Sequence, residues 1–190
     1  MKFDPDEALE AAMQVFWSKG YKQTSLEDLL KAMNVAKSSF YQTFGSKSQL
    51  FKKCINRYRN ALMNDINDAL AEADTGLKFI EHFFYSILDE TIKGKERRGC
   101  LILNSANEFS RSDPEITGLI TEGIEQFTHI LKQAVQRSQK EGDIPKTRPA
   151  KSLAPYLFSC ISGLRTMIKG GVDPEVVKES ITVVLDTCKK

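Results

Sequence analysis

Between Thr24 and Gly45 two short segments with apolar residues at helical spacing are separated by about four residues, and Asn34 lies in the gap. So short a connection between helices needs a residue in the left-handed backbone region, which Asn tolerates better than other side chains apart from Gly. The first segment opens on a capping box, Thr24 to Glu27, presents Leu26, Leu29 and Leu30 on one face, and ends near Met33. The second runs from 37 to 43. At about 100° per residue Phe40 and Phe44 share one face, Ser38 and Gln42 point the opposite way, and Ser39 and Tyr41 flank them. The apolar side anchors, and the polar side is presented. Helix, tight turn and helix in this order make a helix-turn-helix.

The rest of the chain reads as helix throughout. Asp4-Pro5 starts a helix over about 5–18, which Gly20 stops. Ser46 with Gln49 forms a second capping box, opening a long helix over about 47–73. Residues 77–92 are apolar almost all round, which predicts a buried helix, and Lys93 to Gly99 read as a charged exposed loop. A short apolar segment from Cys100 to Phe109 follows. Asp113-Pro114 begins a helix that runs to about Lys140, and the loop Gly142 to Pro149 precedes helices over 150–169 and 174–188. No segment is strand-rich. The expectation is an all-α chain of about nine helices, a three-helix N-terminal domain over 1–52 and a larger helical domain over 53–190.

Charge narrows the partner. Residues 1 to 60 hold ten Lys and Arg against six acids, a balance of +4 within a chain whose net charge is +2. From Leu29 to Asn64 there are seven basic residues, Lys31, Lys37, Lys47, Lys52, Lys53, Arg57 and Arg59, and no acid. A polar helix face in such a field suits a polyanion with readable edges, which describes double-stranded DNA. Lys37, Ser38, Ser39 and Gln42 are the candidate base readers, Gln being able to pair bidentately with adenine. Tyr41, Thr43 and Lys47, at the ends and flanks of that face, suit phosphate, as do the backbone N–H groups of helix two near Thr24 and Ser25.

Other functions find little support. Cys54, Cys100, Cys160 and Cys188 form no C-x-x-C pair, and His82 and His129 have no ligand spacing, so no metal site and no cofactor is expected. The N-terminus has acids where a secretory signal needs an apolar run, which points to reduced thiols in a cytoplasmic protein. No run reaches the ~20 apolar residues of a membrane span. No nucleophile, base and orienting group fall together, and no glycine loop cradles phosphate, so catalysis is not expected.

G-Y-x-x-T-S-L-E-D-L at 20–29 followed by V-A-K-S-S-F-Y-x-x-F-x-S-K-x-x-L-F at 35–51 resembles the DNA-binding domain of TetR-family transcriptional regulators over about residues 5–52. Two positions depart from the family pattern: Asn34 replaces the usual turn glycine, and Ala36 stands where many members have a Ser or Thr cap. The resemblance implies a homodimeric repressor, released from a palindromic operator by a small-molecule effector, with residues 53–190 forming the effector-binding and dimerisation domain. The candidate effector pocket is Phe83, Phe84, Cys100, Asn104, Asn107, Phe127 and Tyr156, where polar groups interrupt apolar faces. The resemblance also implies that the last two helices pair across a two-fold axis. The candidates there are Leu153, Leu157, Ile161, Gly163, Leu164, Ile168, Val177, Ile181, Val184 and Leu185, though the sequence equally allows them to pack within one chain. Cys100, preceded by Arg97 and Arg98, is a candidate sensor of electrophiles or oxidants if it is accessible, and a small buried residue otherwise. A DNA-organising or partner-binding helical protein without an effector is the rival reading.

Overall fold

The computed structural model describes residues 3–92, 98–109 and 113–189, without the side chains of 90–92. Among these residues there are nine helices and no strand: α1 Pro5–Lys19, α2 Leu26–Met33, α3 Lys37–Phe44, α4 Lys47–Glu72, α5 Gly76–Ile92, α6 Leu101–Phe109, α7 Pro114–Glu141, α8 Ala150–Lys169 and α9 Pro174–Lys189. The expected charged loop falls mostly on residues 93–97, outside the described residues.

Local chemistry explains the helix ends. The Asp4 carboxylate accepts from the N–H groups of Asp6 at 2.8 Å and Glu7 at 3.4 Å, meeting two orphan donors of α1. Asn34 adopts φ 54°, ψ 46°, the left-handed conformation the turn requires. Ala36 caps α3 without a side-chain hydrogen bond, which forgoes the roughly 0.5–2 kcal/mol a polar cap supplies. At α2 the box is shifted by one residue from the expected Thr24–Glu27. Ser25 is the cap: its Oγ accepts from the Asp28 N–H at 3.0 Å, and its own N–H donates to the Asp28 carboxylate at 2.9 Å. Thr24 is unavailable because its hydroxyl donates to the Gly20 carbonyl at 2.6 Å, stitching the α1–α2 turn. At Ser46 half of the expected box forms, the Gln49 N–H donating to Ser46 Oγ at 3.1 Å.

The chain divides by packing into two compact units, Met1–Leu62 with Cys100–Gly123, and Met63–Gly99 with Ile124–Lys190. These units do not follow the segments 1–52 and 53–190, because α6 and the first turns of α7 pack with the N-terminal helices. The first unit closes on Ala12, Phe16, Leu29, Phe40, Leu50, Phe51 and Ile55, each at most 1% exposed. Phe40 and Phe44 of α3, 6.0 Å apart, are both buried, so α3 is gripped by the ring pair its sequence spacing implies.

In the second unit Ile80, Phe84 and Ile87 of α5 meet a core that includes Leu131, Leu157, Ile161, Val177 and Ile181. The expectation that α5 is buried all round does not hold: Lys78, His82 and Tyr85 are exposed, and only one side enters the core. The junction from α4 to α5 is pinned by α7. Arg137 donates to the carbonyls of Leu70, Ala73 and Asp74 at 2.8–2.9 Å, and Glu141 accepts the Gly76 N–H at 2.8 Å. Gly76 is required there, since an added Cβ would stand 2.3 Å from the Ala134 carbonyl oxygen. Among the described residues no helix is long and apolar enough to cross a membrane.

Candidate nucleic-acid interface

The outward side of α3 is polar and open. Lys37, Ser38, Tyr41, Gln42 and Thr43 are exposed and Ser39 is half-buried. Among the described residues, none of Lys37, Ser38, Ser39, Gln42 or Thr43 spends its side chain on a hydrogen bond or ion pair. Elsewhere helical hydroxyls fold back onto the preceding turn, as at Thr128, Ser138, Ser159, Ser162 and Thr166, each bonded to the carbonyl four residues earlier at 2.8–2.9 Å. The α3 face therefore offers hydroxyls, an amide and an ammonium ready for an external partner.

At the flanks the chain uses several of these groups itself. Thr24 is 1% exposed, with its hydroxyl committed inward and its backbone N–H donating to the Tyr21 carbonyl at 3.3 Å. Ser25 is exposed, but its N–H and Oγ both donate to the Asp28 carboxylate, which already supplies the negative charge a helix start attracts. The ammonium of Lys19, 2.6 Å away, and then the Ser25 donors hold that carboxyl well below the usual range. Tyr41 stays 49% exposed, beside Phe40. Lys47 lies at the start of α4 with its ammonium 4.3 Å from the centre of the Tyr21 ring. Burial lowers its pKa, opposed by the nearby charges of Glu108 and Asp28.

The basic field is smaller than the sequence window suggests. Arg57 pairs with Glu10 at 3.0 Å and Asp6 at 3.3 Å, Lys52 with Glu115, and Arg59 with Glu122. The acids come from α1 and α7, outside the window that looked acid-free. The hydrogen bond Lys52 donates to the Glu115 carboxylate raises the Lys52 pKa, keeping that pair charged. Lys31, Lys37 and Lys53 make no ion pair among the described residues, and with Lys47 they carry the field. Arg59 is only 9% exposed and is a packing element of the first unit.

The other candidate sets separate. Phe83, Phe84, Phe127 and Tyr156 belong to the second unit, and Cys100, Asn104 and Asn107 to the first. Ring contacts run from Phe83 to Phe127 at 5.2 Å and from Phe127 to Phe158 at 5.7 Å, joining α5, α7 and α8. Phe84 is fully buried, whereas Tyr156 is 41% exposed on α8 and its hydroxyl accepts from Thr187 of α9 at 3.4 Å. Cys100 is 8% exposed at the start of α6, the setting of a packing thiol rather than an accessible one, and Arg97 lies outside the described residues. Burial pushes the thiol of Cys54 up to about 12 and that of Cys188 to about 11. All four cysteines are free. Of the ten residues named for subunit pairing, nine are at most 8% exposed within the second unit itself. Gly163 is the exception, exposed and with open space around an added Cβ.

Sequence reasoning passed over Glu108, Tyr21 and Phe109. Tyr21 is in the motif, but only the folded chain brings α6 against it.

A tight two-helix reader, with its apolar side gripped and its polar side unspent, defines a helix-turn-helix DNA-binding protein. Residues 8–54 match the family described as bacterial regulatory proteins, tetR family, and residues 76–184 match the tetracyclin repressor-like C-terminal domain. The chain belongs to the TetR family and is a DNA-binding transcriptional regulator whose partner is double-stranded DNA. It is 25% identical over 97% of its length to the transcriptional regulator YezE of Bacillus subtilis, covering 95% of that protein. It is 27% identical over 91% of its length to the transcriptional repressor ComR of Escherichia coli, covering 83% of it. Among solved structures it resembles a cysteine mutant of the TetR-family regulator CifR complexed with 26-bp double-strand operator DNA, with TM-score 0.84, 25% identity, and coverage of 98% of this chain and 97% of that one. Members of the family act by binding DNA rather than by catalysis.

Proposed function

We propose that the protein is a homodimeric repressor that reads a palindromic operator with α3 and leaves it when a small-molecule effector binds. The observation that carries the reading is the unspent polar face of α3, set on a buried Phe40–Phe44 pair. Base reading falls to Lys37, Ser38, Ser39 and Gln42, and phosphate contact to Tyr41, Thr43 and Lys47. In this division of labour, DNA binding belongs to residues 1–52 and effector binding with dimerisation to 53–190. A regulator of this kind works in the cytoplasm, on chromosomal DNA.

Gln42→Ala should relax base preference at one operator position, costing about 1–3 kcal/mol of discrimination. Lys47→Ala should weaken binding to every sequence and flatten the salt dependence by roughly one unit. Both are read by titrating a labelled duplex, selected by the native protein from a random pool, against single-base variants at two or more salt concentrations. The same loss from both substitutions at all sequences contradicts the assignment.

For subunit pairing we infer the outward faces of α8 and α9 rather than their buried ones. Ser152, Tyr156, Ser159 and Gly163 recur on α8, and Val176, Ser180, Val183 and Thr187 on α9, each four uncharged residues at helical spacing. Tyr156, Val176 and Val183 are 41%, 45% and 63% exposed, three of the five exposed large hydrophobics among the described residues. Small residues beside them allow helices from a second copy to approach closely, as a self-complementary two-fold contact needs.

For effector binding we infer a site beside the aromatic run Phe83, Phe127 and Phe158, supported by their ring contacts, with the effector acting by population shift through preference for the conformer that does not fit the operator. A panel of aromatic and aliphatic small molecules that neither raises the melting temperature nor releases the duplex removes the effector from the scheme.

A further inference from the structure

The turn between α1 and α2 is held by a carboxylate from α6. Gly20 ends α1 with φ 81°, and the two N–H groups that follow, from Tyr21 and Lys22, both donate to Glu108, at 2.8 Å to Oε2 and 3.4 Å to Oε1. Consecutive N–H groups beyond a positive-φ residue form a concave seat for an anion, and here the protein fills it itself. The fit is close, since a Cβ on residue 20 would stand 2.7 Å from Glu108 Oε1.

The next residue of α6 reinforces the hold. The Phe109 ring lies 4.9 Å from Tyr21 and stacks on Phe51 of α4 at 5.4 Å, while Phe51 meets Phe16 of α1 at 4.8 Å. Tyr21 in turn carries the Lys47 ammonium over its ring at 4.3 Å, and the Glu108 charge acts on that same ammonium. Glu108 thus fixes the backbone of Tyr21, Phe109 fixes its ring, and Tyr21 seats a phosphate-contact lysine.

We propose that Glu108 is a positioning residue for DNA binding: its carboxylate clasps the Tyr21 and Lys22 amides, so that the setting of α6 is delivered to the α1–α2 turn and to Lys47. This rests on the reading of α3 and Lys47 as DNA contacts. Glu108 touches no DNA in this scheme. Its loss should therefore disturb placement without removing a phosphate contact.

The test uses the full-length protein with Glu108→Gln and Glu108→Ala, and a duplex selected by the native protein from a random pool. Amide hydrogen exchange at Tyr21 and Lys22 should rise at least tenfold in Glu108→Ala and by less in Glu108→Gln, which keeps one acceptor oxygen. Affinity for the selected duplex should fall tenfold or more in Glu108→Ala, with the slope of affinity against salt unchanged. Should Glu108→Ala fail to fold, Glu108→Gln decides, with the same directions and smaller changes. Unchanged exchange, unchanged or increased affinity, or a salt slope reduced by a full unit overturns the proposal. Failure of the native protein to select any duplex instead overturns the DNA-binding reading beneath it, so the two failures are distinct.

Discussion

Replacing Phe40 by Ala should cost about 3–5 kcal/mol of stability and, on the proposed reading of α3, abolish specific DNA binding, although the ring faces away from the exposed polar side. Phe40 is fully buried, 6.0 Å from Phe44 and 5.4 Å from Tyr41, and Ala in its place leaves a ring-sized cavity under a helix of eight residues. Alone, a helix so short does not persist in water, so α3 keeps its shape only through that packing. A loss of this size is a large part of the roughly 5–15 kcal/mol that holds a domain together. The melting temperature should fall by about 10 °C on the usual scaling for chains of this length. Gln42→Ala is the matched control, removing a presented side chain from the same helix with little expected effect on melting. A Phe40→Ala protein that melts like the parent and still prefers its selected duplex would refute the claim that this ring holds the reader.

The helices were legible because their signals are local. Asp4-Pro5, Asp113-Pro114 and Asn34 each act within a few residues, and the period of Leu153, Leu157, Ile161, Leu164 and Ile168 belongs to one helix whatever lies beside it. Thr24 shows the limit of such reading: T-S-L-E-D contains two overlapping boxes, and the choice is made by a Gly20 carbonyl that captures the first hydroxyl. Charge was less legible. Lys52, Arg57 and Arg59 stand in an acid-free stretch, but acids from α1 and α7 reach them across the fold, so a balance counted along the chain overstates the field open to DNA. The exposed polar side of α3 was readable because nothing else among the described residues claims it. The role of Glu108 was not, since its partners are backbone amides, which no side-chain pattern announces. For α8 and α9, periodicity marks an apolar face without saying whether it meets its own chain or another.

That last ambiguity yields a decisive substitution. If two copies pair through these outward faces, as proposed, Val183→Asp should convert the dimer to a monomer with little loss of fold, because Val183 is 63% exposed. In a two-fold contact each copy would present the new carboxylate to the other, so one substitution buries two like charges without partners. Operator affinity should then drop by about 10²–10⁴, the gain that linking two modules confers, while contact with a single half-site persists. Ile161→Ala is the counterpart: its side chain is fully buried, and its loss should cost about 2–5 kcal/mol of stability whatever the oligomeric state. Sedimentation velocity, thermal melting and duplex titration separate the two effects. If Val183→Asp remains a dimer with parental affinity for the palindrome, the outward face of α8 and α9 is not where two copies meet, and the half-site geometry must be set by another surface.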